Sequence, residues 1–382
     1  MGNYKFIITL FLALGIMGGL QQIALGPKNF DDSGISYTHH NNYVIYKNSF
    51  THLMEGKDLY VLWPQEQWDL YKYSPTFALF FAPFAMLPDV IGLSLWNLLN
   101  ALVLVIALMK IPGLKDKARK LLFLFILVEF ITSMQNTQAN AMVCGLTILT
   151  FVFLEDKKYL LASLCVMLNV YVKIFGLVSL ALFLMYPNRL KSVAYSAMWF
   201  IVLLVLPVFF IGYNSLMMQY KSWLFMLQND YSASYGLSVM GWLNSWFGIT
   251  PDKMLVIATG AVFFCVPLIF YKRYNNYQFR YLTLASILIW VIIFNHKAES
   301  ATFILASTGV ALWYFIKKRG VGDTILLFCV LVFTVLSPTD IFPPYVKKNF
   351  IYPYVLKAVP VIFVWCKLWW EMMVAKEDEI VA

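Results

Sequence analysis

Residues 141–173 read AMVCGLTILTFVFLEDKKYLLASLCVMLNVYVK. An apolar run from Ala141 to Leu154 is cut by Glu155, Asp156, Lys157 and Lys158, and a second apolar run begins at Tyr159. The same alternation of apolar run and short charged break extends in both directions. Measured against a span of about 20 residues, it predicts about twelve transmembrane helices. They start near Lys5, Val90, Leu121, Ala141, Tyr159, Ile174, Val193, Leu255, Tyr281, Ala301, Thr324 and Tyr352. The expected fold is an all-α integral membrane protein, with residues 1–382 forming one polytopic domain.

Composition points the same way. Hydrophobic residues make up 61% of the chain and charged residues 13%, against about 25% charged in ordinary soluble domains. The net charge of +9 does not indicate nucleic acid, because the basic residues sit in short clusters between apolar runs. Those clusters, at 110–120, 157–158, 189–191, 272–280 and 317–319, fall on alternate connections. The positive-inside rule then predicts a multi-pass protein of the cytoplasmic (inner) membrane with both termini cytoplasmic, including the acidic tail 376–379. Two long loops, 26–89 and 213–252, come out on the outer face, and loops of that length are usually functional. Within them, 75–87, 216–227 and 239–247 are apolar but too short to span, and are expected as interfacial helices. The five cysteines all lie in apolar runs, where they read as small hydrophobes. Neither they nor His39, His40 and His52 show metal-ligand spacing, so no metal and no cofactor is expected.

Polar residues that interrupt apolar runs carry the functional reading. Glu129 lies inside one run, Lys173 breaks another, and Asn295-His296-Lys297-Ala298-Glu299 follows a third. On the predicted topology Gln138, Asn140, Lys173 and the 295–299 segment converge at the outer ends of spans. Lysines there, at membrane depth on the outer side, suit an anionic lipid headgroup as point charges. The first loop adds Asp31, Asp32, Glu55, Asp58, Glu66 and Asp69, any of which could serve as general base for a hydroxyl.

Several short motifs add a family resemblance. Asn42-Tyr43-Val44-Ile45-Tyr46 leads to Leu53-Met54-Glu55-Gly56-Lys57-Asp58-Leu59-Tyr60. Tyr71-Lys72-Tyr73-Ser74-Pro75 runs into an apolar helix that stops at Leu87-Pro88 before Trp96-Asn97. Thr137-Gln138-Ala139-Asn140, Lys173-Ile174-Phe175-Gly176, Ser238-Val239-Met240-Gly241 and His296 follow. Together these resemble the membrane glycosyltransferases of the GT-C superfold, in particular glycosyltransferase family 87, with its polyprenyl-phosphate-mannose-dependent mannosyltransferases. The resemblance implies an inverting transfer of mannose or a related hexose from a polyprenyl-phosphate sugar donor to a hydroxyl on a glycan or glycolipid acceptor. Membrane lipids would be partners, and nucleic acid would not.

By the same resemblance Lys72, Lys173 or Lys297 holds the phosphate, and Gln138, Asn140 and His296 shape the sugar pocket. Asn42, Tyr46 and Tyr73 complete the substrate-binding set. Asn42 stands where the family has an aspartate, and an amide cannot take a proton. The expected base therefore moves to Glu299 or, next, Asp32. A non-catalytic GT-C-like subunit and a transporter or flippase of lipid-linked sugar are the alternative readings.

Overall fold

The apolar runs fold as helices, and local sequence explains several of their ends. The computed structural model describes residues 4–30, 34–229 and 234–374. Helix α1 (Lys5–Ala24) leads into a small antiparallel hairpin, β1 (Pro27–Asn29) and β2 (Ser36–Thr38), in which Lys28 pairs with Tyr37. Helices α2 (Asn41–Met54), α3 (Pro75–Phe80) and α4 (Ala82–Ala85) follow. Ser74 caps α3 by accepting the Phe77 N–H, and Pro75 occupies the first turn, where its missing N–H costs nothing. Next come α5 (Asp89–Lys110), α6 (Asp116–Gln135), α7 (Asn140–Glu155) and α8 (Tyr159–Val172). Lys173 adopts an extended backbone that ends α8, and Ile174–Met185 then winds as a 3-10 helix. The chain continues through α9 (Arg189–Val205), α10 (Val208–Asn229), α11 (Val239–Phe247), α12 (Lys253–Cys265) and α13 (Tyr277–Ile293). It closes with α14 (Phe303–Phe315), α15 (Val321–Cys329), α16 (Pro344–Val346) and α17 (Val359–Val374).

The core is built on α7, α13 and α14, which are buried on almost every face. Helix α7 packs between α5 and α8, α13 pairs with α14 and α17, and α1 lies on α5 and α6. Small residues set the closest approaches. A Cβ on Gly145 would stand 2.8 Å from the Val103 carbonyl carbon and oxygen, so α7 meets the α5 backbone directly. Gly309 makes the equivalent contact, with a Cβ 2.8 Å from the Ala285 carbonyl oxygen. Because backbone cannot retreat as a flexible side chain can, Gly145→Val is expected to destabilise the fold by about 3 kcal/mol, the upper end of ordinary overpacking. The midpoint of chemical denaturation measures this, and an unchanged midpoint would contradict the α5–α7 contact.

The basic segments gather at one end of the bundle. Tyr4 donates to Asp116, Arg119 to the Ile111 carbonyl, and Tyr277 to the Pro112 carbonyl. Arg280 pairs with Glu155 at 2.7 Å, Tyr186 donates to the same carboxylate, and Arg273 reaches the Met372 carbonyl. At the opposite end the chain presents the turn between α6 and α7, the end of α8, and the segment between α13 and α14.

The architecture corrects the expectation of about twelve spans. Among the described residues, two helices, Lys5–Ala24 and Asp89–Lys110, are long and apolar enough to cross a membrane. A third qualifies only if Arg189–Val205 and Val208–Asn229, bent by 87° at their junction, count as one. The other apolar helices have 10–17 residues, including Asn140–Glu155, Tyr277–Ile293 and Ser300–Phe315. At 1.5 Å per residue, a 16-residue helix such as α7 reaches only about 24 Å, short of a hydrocarbon core of about 30 Å. The apolar faces of α7, α13 and α14 are covered by other helices of the same chain.

Among the described residues the fold is mostly helical, with one hairpin, rather than a GT-C-like multi-span array. Multi-pass placement in the inner membrane and the inside–outside assignment of termini and loops rest on that array, and fall with it. So do membrane lipids, the polyprenyl-phosphate donor and the glycolipid acceptor as partners, the inverting lipid-linked mannosyl transfer, and the flippase and GT-C-like subunit alternatives. Parts of the segments expected as interfacial helices make contacts within the chain. Pro75 to Leu79 are buried in protein, Trp242 packs on Phe363, and the Trp246 indole donates to the Tyr354 carbonyl. Of the five cysteines in apolar runs, Cys144 and Cys165 are buried, Cys329 is half-buried, and Cys265 and Cys366 are exposed.

Candidate functional site

Three interruptions of helix supply the polar centre. The turn from α6 to α7 is forced at Thr137, whose φ of +58° lies in the left-handed region that a β-branched residue enters only under strain. The Trp96 indole donates to the Thr137 carbonyl at 2.9 Å and pins the turn. Asn97 adds two bonds, to the carbonyls of Gly15 and Met134. Gln138 and Asn140 follow directly. Lys173 is delivered by the extended residue that ends α8, its N–H bonded back to the Asn169 carbonyl at 2.7 Å. Glu299 ends a tight segment in which the Asn295 side chain accepts the Lys297 N–H and Leu237 donates to the Ala298 carbonyl. Gly236, at φ +59°, supports this segment so closely that a Cβ would stand 2.5 Å from the His296 carbonyl oxygen.

These side chains form one hydrogen-bonded chain. The Lys173 ammonium donates to Asn140 Oδ1 at 2.6 Å and to Gln138 Oε1 at 3.4 Å. Asn140 Nδ2 donates to Gln138 Oε1 and to the Ala301 carbonyl, each at 3.2 Å. Gln138 Nε2 donates to Glu299 Oε1 at 2.5 Å.

The chain lies on the wall of a cavity of about 920 Å³. Asn42, Tyr46, Lys72, Tyr73, Gln138, Lys173, Lys297 and Glu299 all line it. Tyr46 donates to Tyr73 at 2.7 Å, Lys72 pairs with Asp69 at 2.9 Å, and Asn42 donates to the Asn136 backbone carbonyl at 2.9 Å. Trp68 lines the cavity and stacks on Phe30, with ring centroids 5.7 Å apart. The titratable lining among the described residues includes Lys28, Lys72, Lys173 and Lys297 against only Asp69 and Glu299, so it favours an anion.

Two of the lysines are poised near neutrality. Burial pushes the Lys173 ammonium down to about 8, with Glu299 opposing the shift. Burial and then the neighbouring Lys72 charge take Lys297 down to about 8, with Asp69 opposing. A lowered lysine pKa means the charge is present below about pH 8 and lost above it, whereas an ordinary lysine keeps its charge to about 10.4. Affinity for inorganic pyrophosphate is therefore expected to fall by about tenfold or more between about pH 7 and about pH 9. Titration calorimetry at both pH values checks this, and equal affinities would contradict the charge state assigned to the pair.

The remaining sequence candidates divide. Asn140 stands behind Gln138 as part of the bonded chain. His296 does not line the cavity; burial and the nearby Lys253 charge lower its imidazole pKa. Asp32 lies outside the described residues. Glu129 belongs elsewhere, in an ion pair with Lys357 at 2.5 Å inside the bundle. Asp69 is one of six first-loop acids that local sequence does not set apart. It sits in the cavity at a φ of +82° and binds Lys72 three residues on, and that acid–lysine spacing just ahead of Tyr73 was its only signal. Among the described residues no group of three or more His, Cys, Asp and Glu could hold a metal ion.

A family model described as glycosyltransferase family 87 matches residues 71–294. That span takes in the cavity-lining residues from Lys72 to Gly236 and stops just short of the 295–299 segment. No curated protein matches the chain.

Proposed function

Because the chain belongs to glycosyltransferase family 87, we propose that the polar cavity is a site of hexosyl transfer. The observation that carries this reading is the pairing of an anion-favouring lysine wall with a hydrogen-bonded carboxylate, Glu299, in one cavity. The donor is a hexose activated by a phosphate-bearing leaving group. Glu299 takes the proton from an acceptor hydroxyl, and the acceptor oxygen bonds to the anomeric carbon as the bond from that carbon to the phosphate oxygen breaks. The electron pair of the broken bond leaves with the phosphate, whose charge Lys173 and Lys297 bind. Lys72, already paired with Asp69, contributes at the edge of the same field. Tyr46, Tyr73 and Asn42 supply hydroxyl and amide groups for the sugar.

The test is a transfer assay with the full chain, a panel of phosphate-activated hexoses and a panel of hydroxyl acceptors, read by mass spectrometry. A product heavier than an acceptor by one hexose residue is expected. Absence of such a product across the panel, with the protein folded and binding pyrophosphate, would refute the reading.

A further inference from the structure

We infer that Gln138 is a positioning residue rather than a sugar ligand, and that it links the general base to the ammonium that grips the leaving group. The inference rests on the hexosyl-transfer reading for its catalytic meaning. Gln138 is only 9% exposed, and both ends of its amide are engaged. Its oxygen accepts from Asn140 Nδ2 and from the Lys173 ammonium, two groups that can only donate. That fixes which end of the amide is oxygen and leaves the Nε2 hydrogens for Glu299, which is reached at 2.5 Å. Asn140 is itself oriented, because its own oxygen accepts from Lys173 at 2.6 Å and its nitrogen also donates to the Ala301 carbonyl.

The result is a directional chain of ammonium, amide and carboxylate, with every donor facing an acceptor. The platform beneath it is rigid, since the Trp96 and Asn97 bonds clamp the strained turn at Thr137 that carries Gln138. Glu299 itself is exposed, so without the Gln138 bond its carboxylate would sample several rotamers and meet the acceptor proton less often.

Gln138→Met keeps the length of the side chain and removes its hydrogen bonds. A positioning role predicts kcat lowered by about tenfold or more, with the donor KM within about twofold. A sugar ligand would instead show a raised KM, and an unchanged kcat or a rise in KM alone overturns the inference. Gln138→Glu is the second variant and keeps a polar group of the same size. It puts a carboxylate against both Lys173 and Glu299, so kcat is again expected to fall. The pH midpoint of pyrophosphate binding should rise, because the added negative charge keeps Lys173 protonated to higher pH. That midpoint needs no turnover. If the wild-type protein transfers nothing, the hexosyl reading falls. The pyrophosphate midpoint then decides alone whether residue 138 acts on Lys173: a rise supports the link and an unmoved midpoint breaks it.

Discussion

Glu299→Gln is expected to lower kcat for hexosyl transfer by about 10³-fold, the middle of the range for loss of a general base. The substitution keeps the shape of the side chain and an oxygen that can still accept the Gln138 Nε2 hydrogen, so the 295–299 segment has no reason to move. What is lost is the ability to take a proton. Donor KM should stay nearly constant, since the phosphate is held by Lys173 and Lys297 on the cavity wall rather than by the carboxylate. Steady-state kinetics with unchanged circular dichroism would test this. The competing carboxylate is Asp69, which shares the cavity but is already bonded to Lys72 and to the Leu70 N–H. Full activity in Glu299→Gln together with loss in Asp69→Asn would transfer the role of base to Asp69.

Lys357→Met is expected to cost about 3–5 kcal/mol of folding stability, because it leaves a carboxylate buried without its partner. The Glu129 side chain is fully buried and that of Lys357 is 5% exposed. The ammonium bonds Glu129 Oε1 at 2.5 Å and the Thr334 carbonyl at 3.0 Å, and lies 5.1 Å from the centre of the Phe303 ring. Thr334 returns a bond from its hydroxyl to the Lys357 carbonyl at 2.7 Å. These contacts tie α6 to the segment ahead of α17. Since the second Glu129 oxygen has no hydrogen-bond partner among the described groups, the pair already bears an uncompensated desolvation cost. The double variant Glu129→Leu/Lys357→Met should therefore recover most of the stability lost in the single one. Denaturant midpoints of the two single variants and the double variant form the test. Additive losses would show that the two groups do not depend on each other.

The cavity residues and the buried pair differ in how far they could be read from the chain. Lys173 was visible as a charge that stops an apolar run, and it does end α8. Gln138, Asn140 and Glu299 were visible as polar residues at run ends. Their mutual bonding was not, because Gln138 and Glu299 are separated by 161 positions and no local signal reports such a contact. Glu129 looked functional for the same reason as Lys173, an ionisable group in an apolar run. Its partner, 228 positions away, makes it a structural group instead. Asp69 could not be told apart from the other five acids of the first loop, because an acid in a polar loop carries no distinguishing pattern.

Helical content, most helix breaks and the motifs that resemble a glycosyltransferase family are legible in the chain. Apolar runs, charged breaks, Ser74-Pro75 and Lys173 are local features that act on the backbone within a turn or two. What the apolar faces touch is set by long-range packing. A helix that is apolar all round suits either lipid or the interior of a large protein, and its composition is the same in both. Packing against neighbours through Gly145 and Gly309 put α7, α13 and α14 in the protein interior. The same packing brought three distant helix breaks to one cavity, where Lys173, Gln138 and Glu299 meet.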